Sequence, residues 1–147
     1  AGGIATGRGM LAAMTLGADA VQVGSRFAAS EESSAHQLFK QAIIDTQEGE
    51  TILTLKELAP VRLIKNKFYE QVAQLYETAP TKEQLSTLLG RARAKRGMYE
   101  GDLDEGELEI GQIAGLINDI KPAAQIVKDM IAEYKIAKQE LTNFDNW

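Results

Sequence analysis

The sequence predicts an α/β fold with two short parallel strands near its start and a mostly helical region from residue 50 onwards. Two glycine turns, at Gly2 and Gly24, are 22 residues apart, the length of one turn–helix–strand step of a parallel sheet. The second turn closes residues 20–23, a run rich in β-formers. Both turns are therefore expected at the same edge of one sheet.

The first elements are the end of a strand, residues 1–3, and a helix. Thr6 is a suitable N-cap for a helix over residues 7–16, because its hydroxyl can accept a backbone N–H of the first turn. Gly17 supplies the left-handed residue that commonly ends a helix. This helix would return the chain to the second strand, residues 20–23.

The middle of the chain is predicted to hold one more helix and two extended segments. Apolar residues at helical spacing indicate a helix from about residue 34 to residue 45. The extended segments are 51–55 and 61–64, and Pro60 forces a break between them.

Local capping signals define the later helices. Asn66 is a suitable N-cap, and Thr81 begins a capping box that opens another helix. A last helix is predicted to start after Pro122 and to fray towards Trp147.

Composition excludes several classes of protein. The 147 residues are 44% hydrophobic and 25% charged, which is typical of a soluble globular chain. There is no cysteine and only one histidine, His36, so disulfides, thiolate sites and multi-histidine metal sites are excluded. No apolar run reaches the ~18 residues of a membrane span, and no signal peptide is recognisable. We therefore expect a cytoplasmic protein without a membrane partner.

The middle of the chain is basic and its end is acidic. The basic cluster Arg91, Arg93, Lys95 and Arg96 has no interleaved aromatic residues for base stacking, so no nucleic-acid partner is predicted. The acidic run at 100–109 does not fit a calcium loop, because Glu105 occupies the position that requires glycine. A solvated connector or an ion-pair partner for the basic cluster is the better interpretation of this run.

The two glycine turns suit a phosphate group. Turns at the carboxyl edge of parallel strands present backbone N–H groups without side-chain obstruction, and Ser25 adds a hydroxyl at the second turn. The alternative is that the glycines only permit tight turns. The pairing of two such turns favours the phosphate site.

Three segments carry a family resemblance. The stretch AGGIATGRGMLAAMTLGADAVQVGSRFAASEESSAH resembles the flavin-dependent nitronate monooxygenases and the related enoyl-acyl-carrier-protein reductase II. Its opening half is also similar to IMP dehydrogenase and other phosphate-binding barrels. VRLIKN at 61–66 and GDLDEGELEIGQIAGLI at 101–117 resemble the C-terminal region of the nitronate monooxygenase group and separate it from those barrels.

The resemblance implies a (β/α)₈ TIM barrel, of which this chain would be the C-terminal part. Residues 1–48 would hold the end of strand seven, strand eight and their helices, and residues 49–147 a mainly helical subdomain. The catalytic histidine of the family would then lie upstream of residue 1, so no catalytic residue is assigned and the isolated chain is expected to be inactive. A homo-oligomer is compatible with this expectation.

The resemblance also implies the cofactor and its contacts. FMN would be held at its phosphate by four residues of the two turns, Gly2, Gly3, Gly24 and Ser25. Three further residues are candidates for the flavin or substrate pocket: Gln22, Gly111 and Gln112. For Gln22 a hydrogen-bonded core amide is at least as good an interpretation, and for Gly111 close helix packing is an alternative. His36 is interpreted as a pocket-rim or capping residue.

The activity implied is the oxidation of alkyl nitronates with O₂ to a carbonyl compound and nitrite. The runner-up is the flavin-dependent reduction of an enoyl thioester by NAD(P)H, which these residues do not discriminate. An alternative of another class is a non-catalytic helical interaction module built from residues 66–142.

Overall fold

A computed structural model describes residues 1–143 of the chain, which contain seven α-helices, one 3₁₀ helix and a two-stranded sheet. Helices α1 (Gly7–Thr15), α2 (Ser25–Ala28) and α3 (Gln37–Asp45) precede the strands β1 (Thr51–Thr54) and β2 (Val61–Ile64). The elements after the sheet are α4 (Lys67–Tyr76), α5 (Lys82–Leu89), α6 (Arg93–Met98), the 3₁₀ helix Gln112–Leu116 and α7 (Ala123–Thr142).

The predicted helix starts are confirmed where a cap was identified. Thr6 Oγ1 accepts the N–H of Gly9 at 3.1 Å, and Asn66 accepts the N–H of Tyr69. At Thr81 both hydrogen bonds of the capping box are present. The last helix follows Pro122 as predicted, whereas the expected fraying at Trp147 lies outside the described residues.

The two extended segments in the middle of the chain pair as an antiparallel hairpin. Thr51 lies opposite Ile64 and Thr54 opposite Val61, in register along the four residues of each strand. Strand β1 ends one residue earlier than predicted, because Leu55 adopts φ +53° and cannot continue an extended backbone.

The predicted parallel strand over residues 20–23 is not formed. These residues make no ladder hydrogen bonds, and within residues 1–143 the only sheet is the β1–β2 hairpin. A strand exists only when a neighbour satisfies its backbone groups, and the described part of this chain supplies none at that position. The two glycine turns therefore do not share a sheet edge here.

Helix α3 starts three residues later than predicted. His36 is its N-cap: its Nδ1 accepts the N–H of Leu38 at 3.2 Å, and its own N–H donates to the carbonyl of Met98 at 2.8 Å. The ring packs against Gly101, which has φ +81°. The capping interpretation of His36 is thereby confirmed.

Two apolar clusters form the core. One joins α3 to the segment around the 3₁₀ helix, and its buried residues are Ala5, Ala29, Phe39, Ile43, Leu108, Ile110, Ala114 and Ile117. The other lies between the hairpin and helices α4 and α5, with Leu55, Leu63, Phe68, Val72 and Leu85 buried. The first cluster unites residues from both sides of residue 48.

The long helix α7 packs against α1 at a close approach that requires glycine. A Cβ at Gly7 would lie 2.8 Å from Cβ of Glu133 and still closer to backbone atoms of Met130 and Tyr134. The N–H of Gly7 donates to the Glu133 carboxylate at 2.8 Å. Among the helices of residues 1–143, none is long and apolar enough to cross a membrane.

Candidate functional site

The second glycine turn is tied to the segment after residue 110. The N–H of Gly111 donates to Ser25 Oγ at 3.1 Å, and a Cβ at Gly111 would lie 2.7 Å from the same oxygen. Glycine at this position therefore allows the segment to lie directly against α2. Close packing, the alternative considered for Gly111, is confirmed as one reason for the residue.

The physical reason for a glycine differs between the two turns. Gly2 and Gly3 have φ +83° and +70°, a conformation that disfavours other residues. Gly24 has φ −103°, and a Cβ built there would meet no atom within 4 Å. Neither backbone conformation nor packing within the described residues explains glycine at position 24.

A cleft of about 510 Å³ lies next to this segment. It is bounded by the first glycine turn, the start of the hairpin and the 3₁₀ helix, and its lining includes Gly3, Thr51, Arg62, Gln112, Ile113 and Gly115. Gly3 and Gln112, which were predicted to lie near the cofactor, therefore share one cavity. Because Gly111 contacts Ser25, residues 111–113 connect the second turn to this cleft.

Gln22 does not behave as predicted for a core residue. Its side chain is exposed, and within residues 1–143 it does not form the hydrogen-bonded core amide of the alternative interpretation. The reason is the same as for the missing strand: in residues 1–143 no sheet covers the segment on which Gln22 lies.

Helix α2 is fixed by a buried arginine. Arg26 donates from Nη1 to the carbonyl of Asp119 at 3.0 Å and from Nη2 to the Asp119 carboxylate. The arginine is 8% exposed. A further bridge pairs Ser30 with Lys121. These contacts hold Ser25, the first residue of α2, against the loop that carries Gly111.

The basic and acidic runs pair with each other. Arg96 Nε donates to the Asp102 carboxylate at 2.7 Å, and Lys95 lies 3.0 Å from Glu100. Arg93 donates to the carbonyl of Glu105 at 2.8 Å and stacks over the ring of Phe68 at 4.4 Å. The interpretation of the acidic run as an ion-pair partner is thus confirmed.

One carboxyl group of the acidic run has a strongly altered acidity. Burial, and after it the nearby charge of Glu109, raise the pKa of Glu107 to about 7 against the opposing effect of Arg93. Burial also raises the pKa of Glu109. Both residues precede Ile110, whose N–H donates to the carbonyl of Arg62.

Sequence reasoning missed Arg62 as a site residue. Arg62 is part of the VRLIKN segment. No signal in the sequence indicates that this strand residue reaches the same cleft as Gly3 and Gln112. The pairing of β2 with β1, and of Ile110 with Arg62, is the long-range contact that brings it there.

Glycine turns with accessible backbone, joined to a cleft through one loop, are typical of α/β enzymes that bind a phosphorylated cofactor. The family model described as nitronate monooxygenase matches residues 1–133. The chain therefore belongs to the nitronate monooxygenase family, whose members are flavin oxidoreductases.

Curated relatives agree with this assignment. The chain is 39% identical over 101 residues to a "Probable nitronate monooxygenase" of Staphylococcus saprophyticus, covering 66% of this chain and 28% of the relative. It is 40% identical over 105 residues to one from Staphylococcus haemolyticus, covering 68% and 29%. The chain thus spans less than a third of the length of these relatives.

Two solved structures have a similar fold. FabK from Thermotoga maritima is 38% identical with a TM-score of 0.86, and the match covers 97% of this chain and 45% of that chain. Nitroalkane oxidase from Streptomyces ansochromogenes is 30% identical with a TM-score of 0.72, covering 95% and 40%.

Proposed function

We propose that this chain supplies the phosphate-binding part of an FMN site in an enzyme that oxidises alkyl nitronates with O₂ to a carbonyl compound and nitrite. The reactants that the protein binds would be the nitronate and O₂, and the reaction would take place in the cytoplasm. Residues 1–48 would be the end of a TIM barrel, with residues 20–23 as its last strand, and residues 49–147 a second subdomain.

The observation that carries the proposal is the environment of Gly24. A glycine that neither φ nor packing requires is explained if another molecule lies where its side chain would be. A phosphate at this turn would approach the backbone N–H groups at the start of α2 and the Ser25 hydroxyl. The residues present therefore fit a phosphorylated cofactor.

Each residue has a distinct proposed role. Gly2 and Gly3 present the first turn, and Gly24 and Ser25 the second, to the phosphate. Ser25 Oγ accepts the Gly111 N–H, so its hydroxyl proton can be donated to a phosphate oxygen. When bound, FMN supplies the electron transfer to oxygen; this chain orients it and excludes water. Gly111 and Gln112 would lie nearer the flavin ring, at the cleft.

For Gln22 we propose a position in the flavin or substrate pocket. Its exposed side chain would lie in the barrel interior once the neighbouring strand of the sheet is paired.

The second candidate is the enoyl thioester reductase reaction, because the stretch over residues 1–36 resembles both groups. Comparing propane-2-nitronate with an enoyl thioester plus NAD(P)H as substrates of a flavin-loaded enzyme that contains this chain and an upstream catalytic histidine discriminates the two reactions. A helical interaction module without cofactor would bind neither FMN nor phosphate.

The proposal is tested by quenching of FMN fluorescence on titration with this chain. We expect saturable quenching that Gly24→Glu and Ser25→Glu abolish, because each puts a carboxylate where the phosphate would bind. Ser34→Glu is the matched control, since Ser34 is exposed in another loop and should leave binding unchanged. Equal binding by the native chain and by Gly24→Glu contradicts the proposal.

A further inference from the structure

Arg62 lines the cleft described above. The residue lies on β2 and is half-buried. Its Nη1 donates to two oxygens of Thr51, the carbonyl and Oγ1, both at 3.1 Å. These two bonds fix the guanidinium against β1 through one nitrogen.

The charge of Arg62 has no counterion in the described part of the chain. Arg26, Arg93 and Arg96 each pair with a carboxylate, whereas no carboxylate oxygen of residues 1–143 lies within 4.0 Å of Arg62. Glu48 also lines the cleft but is exposed and does not reach the guanidinium.

The donors of Arg62 that remain form a planar pair. Within residues 1–143, Nε and Nη2 donate to no protein group, since both hydrogen bonds of this side chain leave from Nη1. A guanidinium with two parallel N–H donors matches a planar oxyanion with two oxygens. The site is thus suited to a carboxylate-shaped anion.

The backbone of Arg62 connects this donor pair to the proposed cofactor loop. Its carbonyl accepts the N–H of Ile110 at 3.0 Å, and the next residue, Gly111, donates to Ser25. Gln112 then lines the same cleft as Arg62. An anion on Arg62 would therefore lie beside the segment expected to approach the flavin.

We propose that Arg62 is the substrate-binding residue of this cleft and that its Nε and Nη2 donate to the two oxygens of an alkyl nitronate. The nitronate group is planar and anionic, as the donor pair requires. The inference rests on the proposed function for its substrate class. The cofactor phosphate is also an oxyanion that a guanidinium can bind. The experiment therefore measures FMN binding separately.

The test follows the Arg side-chain Nε–Hε resonances of this chain by NMR during titration with propane-2-nitronate. Isobutyrate, which has the same heavy-atom connectivity, charge and two-oxygen head, serves as an unreactive second probe. We expect a saturable shift of the Arg62 Nε–Hε resonance in the native chain. In the variants, where that resonance is absent, the backbone amides of Gln112 and Ile113 in the same cleft report binding. Affinity for the anion should be lost in Arg62→Gln and weakened about tenfold in Arg62→Lys, which keeps the charge but not the planar fork. Arg91→Gln is the matched control, because Arg91 is exposed and lies outside the cleft.

The FMN arm uses the fluorescence titration on the same variants. Arg62→Gln should change FMN affinity by no more than about twofold, as expected for separate sites. Absence of a saturable Arg62 shift overturns the inference, and so does equal anion binding by a folded Arg62→Gln chain. Loss of FMN binding in Arg62→Gln, with nitronate binding intact, would assign Arg62 to the cofactor and would also overturn the inference. Failure of the proposed function is distinct, because it appears as FMN binding that Gly24→Glu leaves unchanged.

Discussion

Gly111 donates its backbone N–H to the Oγ of Ser25 at 3.1 Å, across 86 residues of chain. This bond joins the second glycine turn to the loop that lines the cleft. Because the N–H of Gly111 is partly buried, removal of the acceptor leaves it without a partner.

Ser25→Ala should therefore destabilise the chain by about 1 to 2 kcal/mol and loosen the loop at residues 110–113. Ser25→Thr keeps an oxygen at this position and should cost less. Urea unfolding measures the loss, and amide hydrogen exchange at Gly111 reports the loop. Ser34→Ala, at an exposed serine, is the control and should be neutral. Unchanged exchange at Gly111 in Ser25→Ala would show that the bond does not hold the loop.

The two glycines of α1 should respond in opposite directions to alanine. A methyl group at Gly7 would overlap backbone atoms of α7, which cannot move without separating the two helices. We expect Gly7→Ala to destabilise by about 3 kcal/mol or more. At Gly9 the nearest atom to an added Cβ is Thr6 Oγ1 at 3.4 Å, so Gly9→Ala should be neutral or stabilise by about 0.5 kcal/mol. Similar melting temperatures for the two variants would argue against the observed α1–α7 packing.

Two ion pairs that differ in burial, Arg26–Asp119 and Arg8–Glu140, should differ in their contribution to stability. Arg26 is buried, but the side chain of Asp119 is 37% exposed and also pairs with Lys121, so Arg26→Gln should cost about 1 to 2 kcal/mol. Arg8 pairs with Glu140 at the surface, and Arg8→Gln should change stability by less than about 0.5 kcal/mol. Both are measured by urea unfolding at one pH. A loss in Arg26→Gln as small as that in Arg8→Gln would exclude a role for Arg26 in fixing α2.

Stability should fall as pH rises through the range in which Glu107 ionises. Its pKa is about 7 in the folded chain against 4.5 when unfolded, so the folded chain binds more protons between these values. Its contribution is therefore present below pH 4.5 and is lost as pH rises through about 7. Glu107→Gln should stabilise by about 1 to 2 kcal/mol at alkaline pH, after allowance for solvent screening, and flatten the curve.

Unfolding free energies at pH 5 and at pH 8 measure this effect. Glu100→Gln is the control, because Glu100 is exposed and pairs with Lys95, so its removal should leave the slope unchanged. Parallel pH curves for the native chain and Glu107→Gln would contradict the assignment of the slope to Glu107.

The capped helices and the two extended segments of the hairpin were predictable because their signals are local. Thr6, Asn66 and Thr81 each cap a helix through atoms three residues away, so the sequence contains the whole interaction. Pro60 similarly marks the break between the two strands that then pair.

The parts of the fold and of the candidate site that the sequence does not predict depend on contacts between residues distant in the chain. The extended segment 20–23 has the composition of a strand, but pairing requires a neighbour that composition does not specify. The resemblance identified Gly111 and Gln112 as pocket candidates, yet the reach of Arg62 into the cleft follows only from the hairpin register and from Ile110. Gly7 was assigned to a helix, while its need for glycine comes from α7, more than 120 residues later.

The central claim, that the two glycine turns bind the phosphate of FMN, is tested most directly by mapping backbone amide shifts during titration with FMN and, separately, with riboflavin, which lacks the phosphate. We predict that FMN shifts the amides of Gly3, Gly24 and Ser25 and that riboflavin leaves them in place. Shifts of equal size with both compounds, or none at these three amides with FMN, would contradict the claim.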